Sequence, residues 1–394
     1  MYSKRLDWAS PTNALGCLLA RKRTGGEPLH DLTQSNPTRV GLDYPDPAIL
    51  TALASPAAMA YDPNPRGLLQ ARQAIAAYYA DQDLHLSTEA LFLTASTSEA
   101  YAMLFKLLAD PGDEILIPRP GYPLLGYLAR FEGLRAIAYP CRWDKVRGWS
   151  IDLDVLEALI TPRTRAVIVV SPNNPTGAYV GPDTLAALDR IGHARNLALI
   201  VDEVFADYPA PDTPPFLTCS ALAGATALTF VLNGFSKMLA LPQVKLAWIA
   251  VGGAPPLVRN AQPRLEMLLD FYLSAGTPVQ HAAAPLLALR HRIQDQVRAR
   301  LAANSRLLQQ RVAQASHCRL LPRQGGWYAV VAITDAFGDE ERVLTLLERY
   351  NTLVHPGFFY DFNREGYVIL SLLPPPDSFG AGVDLLMRLG SATA

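Results

Sequence analysis

Cysteine is scarce in this chain: Cys17, Cys141, Cys219 and Cys318 are its four, scattered over 394 residues. None forms a Cys-x-x-Cys pair, so neither a zinc site nor a disulfide framework is expected, and a reducing cytosol fits. Net charge is almost absent as well. The 35 Lys and Arg against 36 Asp and Glu leave −1 at neutral pH. That balance gives no electrostatic case for nucleic acid or for an anionic membrane. No uncharged apolar run reaches about 18 residues, the rough threshold for a membrane span. The first residues, Met1-Tyr2-Ser3-Lys4-Arg5-Leu6-Asp7, contain no apolar signal core. These absences predict a soluble cytoplasmic protein with no metal centre.

What is present is apolar: half the residues, against 18% charged. A chain of this length and composition is expected to bury a sizeable core and to form two domains. Short apolar runs at 114–117, 166–170, 197–201, 227–232 and 246–251 read as strands of a parallel sheet buried on both faces. Helical patterns alternate with them. Tyr101, Leu104, Phe105 and Leu108 share one face of a helix expected over 97–109, which Asp110-Pro111-Gly112-Asp113 ends. A second amphipathic helix is expected over 68–80. Beyond about residue 285 the character changes to a long charged helix (290–314), strands near 327–333 and 367–373, and a helix at 340–350. The organisation predicted is α/β, with an arm over 1–45, a large domain over 46–285 and a small α+β domain over 286–394.

Lys237 draws attention through its setting. It lies in Asn233-Gly234-Phe235-Ser236-Lys237, directly after the run 227–232. Upstream stand Ser171-Pro172-Asn173-Asn174-Pro175-Thr176-Gly177 and the strand-end acid Asp202 in Val201-Asp202-Glu203. The carboxyl edge of an open α/β sheet is where ligands bind. Thr94-Ala95-Ser96-Thr97-Ser98-Glu99 opens a helix after Leu91-Phe92-Leu93. Its amides and hydroxyls suit either an anion cradle or a plain N-cap.

The order Asn174, Asp202, Lys237, with the Asn-Asn-Pro-Thr-Gly pentapeptide, resembles the class I/II aminotransferases of pyridoxal phosphate (PLP) fold type I. The resemblance covers about residues 30 to 390. It implies a mostly parallel seven-stranded sheet flanked by helices, a smaller α+β domain, and a homodimer with composite sites. Lys237 would form a Schiff base with the PLP aldehyde, with Ser236 beside it. Asp202 would keep the pyridine nitrogen protonated so that the ring accepts electrons. Ser96, Thr97 and Ser98 would form the phosphate cup, and Tyr122 in Pro118-Arg119-Pro120-Gly121-Tyr122-Pro123 would stack on the ring. Asn174 would contact the phenolic oxygen or a substrate carboxylate. Lys245 occupies the usual place of a phosphate-binding Arg, as a point charge rather than a fork. Tyr61 would reach the phosphate held by the neighbouring subunit, and Gln34-Ser35-Asn36-Pro37-Thr38 resembles the substrate-side loop.

Three positions depart from the family pattern. Phe205 stands where many members have a Tyr that donates to the phenolic oxygen. Gly234 replaces a common phosphate-binding Ser. Ile369 occupies the place of the Arg that clamps the substrate α-carboxylate. Arg39 is a candidate substitute, with Arg119 and Arg364 as others; all three also read as surface charges. The function implied is an aminotransferase acting on small amino and keto substrates. Elimination, decarboxylation or cyclisation at the same site is the alternative. A PLP-binding regulator is remote, because no basic or helix-turn-helix module precedes residue 30.

Overall fold

The computed structural model describes residues 2–6, 12–145, 148–214, 220–334 and 337–391. Cys219 lies outside them. After the helix Ala14–Thr24 comes a two-residue strand, β1 (His30–Asp31). Eight strands then form the main sheet: β2 (Leu91–Thr94), β3 (Glu114–Arg119), β4 (Arg135–Asp144), β5 (Gly148–Ile151), β6 (Thr164–Val170), β7 (Ala198–Asp202), β8 (Thr229–Gly234) and β9 (Ala247–Gly252). Their spatial order is β2-β9-β8-β7-β6-β3-β4-β5. Pairing is parallel from β8 through β4, while β9 is antiparallel to both its neighbours. The sheet has one strand more than expected, because β5 folds back antiparallel on β4 at the edge.

The apolar runs follow from this position. On β6, Val167 and Val169 enter one core while Ala166, Ile168 and Val170 enter the other. On β8, Val231 and the pair Phe230 and Leu232 divide in the same way. A strand covered by helices on both faces has no polar side to show, so alternation disappears.

Past residue 290 come the helix Arg290–Val312, then β10 (Cys318–Leu320), β11 (Tyr328–Ile333), β12 (Thr352–Leu353), β13 (His355–Pro356) and β14 (Tyr367–Ser371). Four of these make an antiparallel sheet, β10-β11-β14-β13. The N-terminal segment is tied to it: β1 pairs parallel with β12, and Ser371 N–H donates to Leu32 O at 2.7 Å. The 23-residue helix Arg290–Val312 spans roughly 35 Å and joins the two sheets. Near one end Gln294 Nε2 donates to Met238 O at 3.0 Å; further along Asn304 Nδ2 donates to Leu372 O and Pro374 O at 2.9 and 2.8 Å. No helix among the described residues is long and apolar enough to cross a membrane.

A second joint lies at Gly177. Its carbonyl accepts from Gln324 N–H and Gly325 N–H at 3.0 and 2.8 Å, and its own N–H donates to Asn173 O at 2.7 Å. Its φ of +70° belongs to the left-handed region, and a Cβ there would sit 2.5 Å from Gly325 O. Gly177→Ala should therefore lower stability by about 2–3 kcal/mol. Chemical denaturation checks this; a loss within about 0.5 kcal/mol would mean that the turn absorbs the side chain.

Candidate active site

Strand pairing gathers the candidate residues at one edge. Asp202 ends β7 opposite Val170 of β6 and Leu232 of β8. Ala247, which opens β9, pairs with Gly234 on one side and with Thr94 on the other. The loops leaving β2, β3, β6 and β8, and the one entering β9, thus carry Ser96–Ser98, Tyr122, Asn174, Lys237 and Lys245 to the same end of the sheet.

Lys237 sits in the single turn Phe235–Met238 that follows β8. Tyr208 Oη donates to the backbone carbonyls of Lys237 and Met238 at 2.9 and 3.0 Å, which fixes that turn. The amine lies 5.1 Å from the centre of the Trp327 indole and 5.7 Å from that of the Phe205 ring. Burial pushes its pKa below the ordinary lysine value, and the Asp202 charge pushes it part of the way back.

Asp202 is buried with a donor on each oxygen. Val204 N–H meets Oδ1 at 3.1 Å and Tyr101 Oη meets Oδ2 at 3.0 Å. Burial still raises its pKa to about 6 against these donors and against Lys237. The next residue turns away: Glu203 accepts from Ser220 Oγ and Ala221 N–H at 3.0 and 2.8 Å, and burial raises it to about 7. Tyr122 is half-buried, and burial, then the charges of Asp202 and Tyr328, push it up to about 12.

The two asparagines of the β6 loop divide their work. Asn173 is structural, accepting from Thr176 Oγ1 at 2.9 Å and donating to Pro120 O at 3.4 Å. Asn174 is buried, and its Oδ1 has no partner among the described residues. At Thr97–Leu108 the N-cap reading is realised: Ser96 Oγ accepts from Glu99 N–H at 3.1 Å, while Glu99 accepts from Ala95 N–H at 2.6 Å. This capping box leaves the Thr97 and Ser98 amides as first-turn donors. Lys245 is exposed and held at φ +62°, an uncommon conformation for a non-glycine residue.

The departures have physical reasons. A Cβ at Gly234 would meet Ala247 Cβ at 2.7 Å, so β9 leaves no room for Ser. Phe205 packs edge-on against Trp327 with ring centres 5.4 Å apart. Ile369 is fully buried and pairs with Val330 and His355. Asn36 caps the turn Pro37–Arg39, and the neighbouring Ser35 reaches Tyr328. Arg39 is exposed on that turn; Arg119 and Arg364 lie together at a separate cavity. Tyr61 is 67% exposed.

Sequence reasoning missed Tyr101, Trp327 and Tyr328. In the sequence Tyr101 reads only as part of an apolar face. Its hydroxyl was the available signal, since a buried phenol needs a partner.

The raised Asp202 pKa carries a stability consequence. Below about pH 4 the carboxyl is protonated in both folded and unfolded chains. Above about pH 6 the folded chain holds a carboxylate that the unfolded chain solvates better, so stability falls between the two. In protein without bound ligand, Asp202→Asn should add up to about 3 kcal/mol near pH 8 and nothing near pH 4. Thermal unfolding across pH measures it; an equal effect at both values would place the origin elsewhere.

Comparisons with known proteins agree with this geometry. The family model for aminotransferase class I and II matches residues 26–368. A glutamate-pyruvate aminotransferase from Haemophilus influenzae is 27% identical over 375 residues, covering 92% of this chain and 91% of the relative. An S-alkyl-thiohydroximate lyase from Arabidopsis thaliana is 33% identical over 244 residues, 61% of this chain and 52% of that one. Among solved structures, an aminotransferase from Escherichia coli superposes with a TM-score of 0.87 at 25% identity, covering 99% of this chain and 98% of that one. The chain belongs to the class I and II aminotransferase family.

Proposed function

We propose that this aminotransferase carries PLP on Lys237 and moves an amino group between an amino acid and a keto acid. The carrying observation is the buried Asp202 carboxylate at the end of β7 with the Lys237 amine in the turn that leaves the adjacent parallel strand β8. The residues present fit the cofactor. Asp202 is an acceptor for a protonated ring nitrogen, and Tyr122 offers a ring face. The Asn174 Nδ2 group would donate to the phenolic oxygen, with Phe205 contributing packing only. The Thr97 and Ser98 amides, with Ser96, Ser236 and Lys245, would hold the phosphate. Once bound, PLP supplies an electron sink for the carbanion left when the Cα proton departs. Lys237 Nζ would take that proton and return it, a task for which a depressed pKa is suited. The two donors, Tyr101 Oη and the Val204 amide, hold the Asp202 carboxyl in place.

The Haemophilus relative's name suggests glutamate and pyruvate as partners, but Ile369 provides no α-carboxylate fork. Asn36 and Arg39 would contribute to substrate binding from the N-terminal loop. The missing fork, together with the lyase relative, favours elimination as the second reading. We further propose the boundaries 1–45, 46–285 and 286–394, a cytoplasmic location, and a homodimer. Met59, Tyr61, Met267 and Phe271 are large apolar side chains left exposed in the single chain. A second copy would cover such side chains and receive Tyr61 at its phosphate.

Borohydride treatment of PLP-loaded protein should fix the cofactor on Lys237, as peptide mapping by mass spectrometry would read. A label on another lysine would sink the assignment. Mixing inactive Lys237→Ala with inactive Tyr61→Ala under subunit exchange should restore activity in hybrid dimers. No recovery despite verified exchange would refute the shared site.

A further inference from the structure

A cavity of about 510 Å³ lies beside the candidate site and is not used by it. Its size is that of a small-molecule pocket. One wall is the end of β3, Arg119 and Pro120, two residues before Tyr122. The facing wall begins at Asp361, next to Tyr360. Gly121 N–H donates to Tyr360 O at 3.1 Å, which joins the loop that carries Tyr122 to the segment that opens the facing wall. On β14, Tyr367 lines the cavity, and Ile369 follows on the same face about 7 Å further along. The cavity is thus one strand step from the position where the family places its carboxylate arginine.

The walls are rich in donors. Arg119 Nε donates to the Asp361 backbone carbonyl at 2.9 Å, and Arg364 Nε donates to Tyr367 Oη at 2.7 Å while its guanidinium lies over that ring. Among the described residues neither has a carboxylate partner; Arg142, a third guanidinium in the wall, is paired with Asp152. Among the described residues Asp361 is the one acid lining the cavity. The apolar part is aromatic. Trp143 and Trp149 have ring centres 5.8 Å apart, and Phe362 lies 6.0 Å from Trp149 and 4.5 Å from Tyr367. Both indole Nε1 groups are buried without an acceptor among the described residues. Guanidiniums recognise carboxylates and phosphates, and aromatic walls take a planar or apolar arm.

We propose that this cavity is a subsite for the far end of the amino substrate, resting on the transaminase reading. The substrate class is an amine or amino acid bearing an anionic group on an extended apolar or planar arm. Arg119 and Arg364 receive the anion, and the Trp143–Trp149 pair receives the arm.

The test uses the PLP-loaded enzyme and two readouts. The first is calorimetric binding of 4-phenylbutyrate, an acid on an aromatic arm with no amine or ketone to react. Affinity should fall about ten- to a hundredfold in the double variant Arg119→Gln, Arg364→Gln. Arg119→Lys, which keeps the charge, should lose less and guards against misfolding. The second readout is KM for alanine and for amino donors with a distal carboxylate on arms of increasing length. In the double variant KM should rise more for the long donors than for alanine. Unchanged 4-phenylbutyrate affinity, or equal KM changes for alanine and long donors, would overturn the subsite. Arginine-dependent binding of 4-phenylbutyrate with turnover of no amino donor would overturn the transaminase reading instead.

Discussion

Asp202 ends β7, and Lys237 stands in the turn that leaves the adjacent parallel strand β8, so a carboxyl and an amine face each other in surroundings largely shielded from water. For each, burial is the dominant influence and the partner's charge only partly offsets it. The carboxyl is raised and the amine is depressed, although attraction alone would do the opposite. Such a pair persists because the surroundings over-determine it. The β7–β8 register sets the spacing, Tyr101 and the Val204 amide satisfy the carboxylate, and Tyr208 holds the lysine turn from behind. Gln294 extends that support into the long helix, so the position of the amine is tied to the helix that links the sheets. The uncompensated remainder is what a cationic, hydrogen-bonding cofactor ring would relieve.

Three departures from the family pattern share one theme, since each exchanges a hydrogen-bonding side chain for packing. At Gly234 the reason is space, because β9 approaches too closely for any Cβ. At Phe205 the ring joins Trp327 and Tyr328 beneath the lysine amine. At Ile369 the side chain is sealed between neighbouring strands of the small sheet. Fewer polar groups around the lysine mean less competition from water. That strengthens the remaining electrostatic contacts and makes each one more costly to lose.

Much of this was legible in the sequence because the sheet is buried on both sides. The runs at 166–170 and 227–232 gave their strands away by lacking alternation. The run at 246–251 was equally apolar, but nothing in a run of side chains records strand direction, and β9 proved antiparallel. The edge strand Gly148–Ile151 was missed, since its side chains are half-buried or exposed and its apolar members pack on only one side. At the site, Lys237, Asp202 and Asn174 stood out by motif. The split between Asn173 and Asn174 did not, because it depends on which amide finds Thr176 and Pro120 in three dimensions. Tyr101 illustrates the same limit: its hydroxyl meets a carboxylate 101 positions away.

Where positive charge has gone is as informative as where it is missing. A charge-assisted pair is worth on the order of 1.5–3 kcal/mol, and Ile369 forgoes one at the reacting end of a substrate. Two residues away on the same strand face, Tyr367 carries a guanidinium over its ring, and Arg119 lines the same cavity with no carboxylate partner among the described residues. Attraction has moved outward along β14 rather than vanished. Binding energy gained at a distance can hold Cα over the reacting centre as firmly as a contact at the α-carboxylate, provided the substrate is long enough to span both. A short amino acid would reach only one of the two places. Discrimination by length then follows from the position of the arginines, with no residue needed to exclude small molecules.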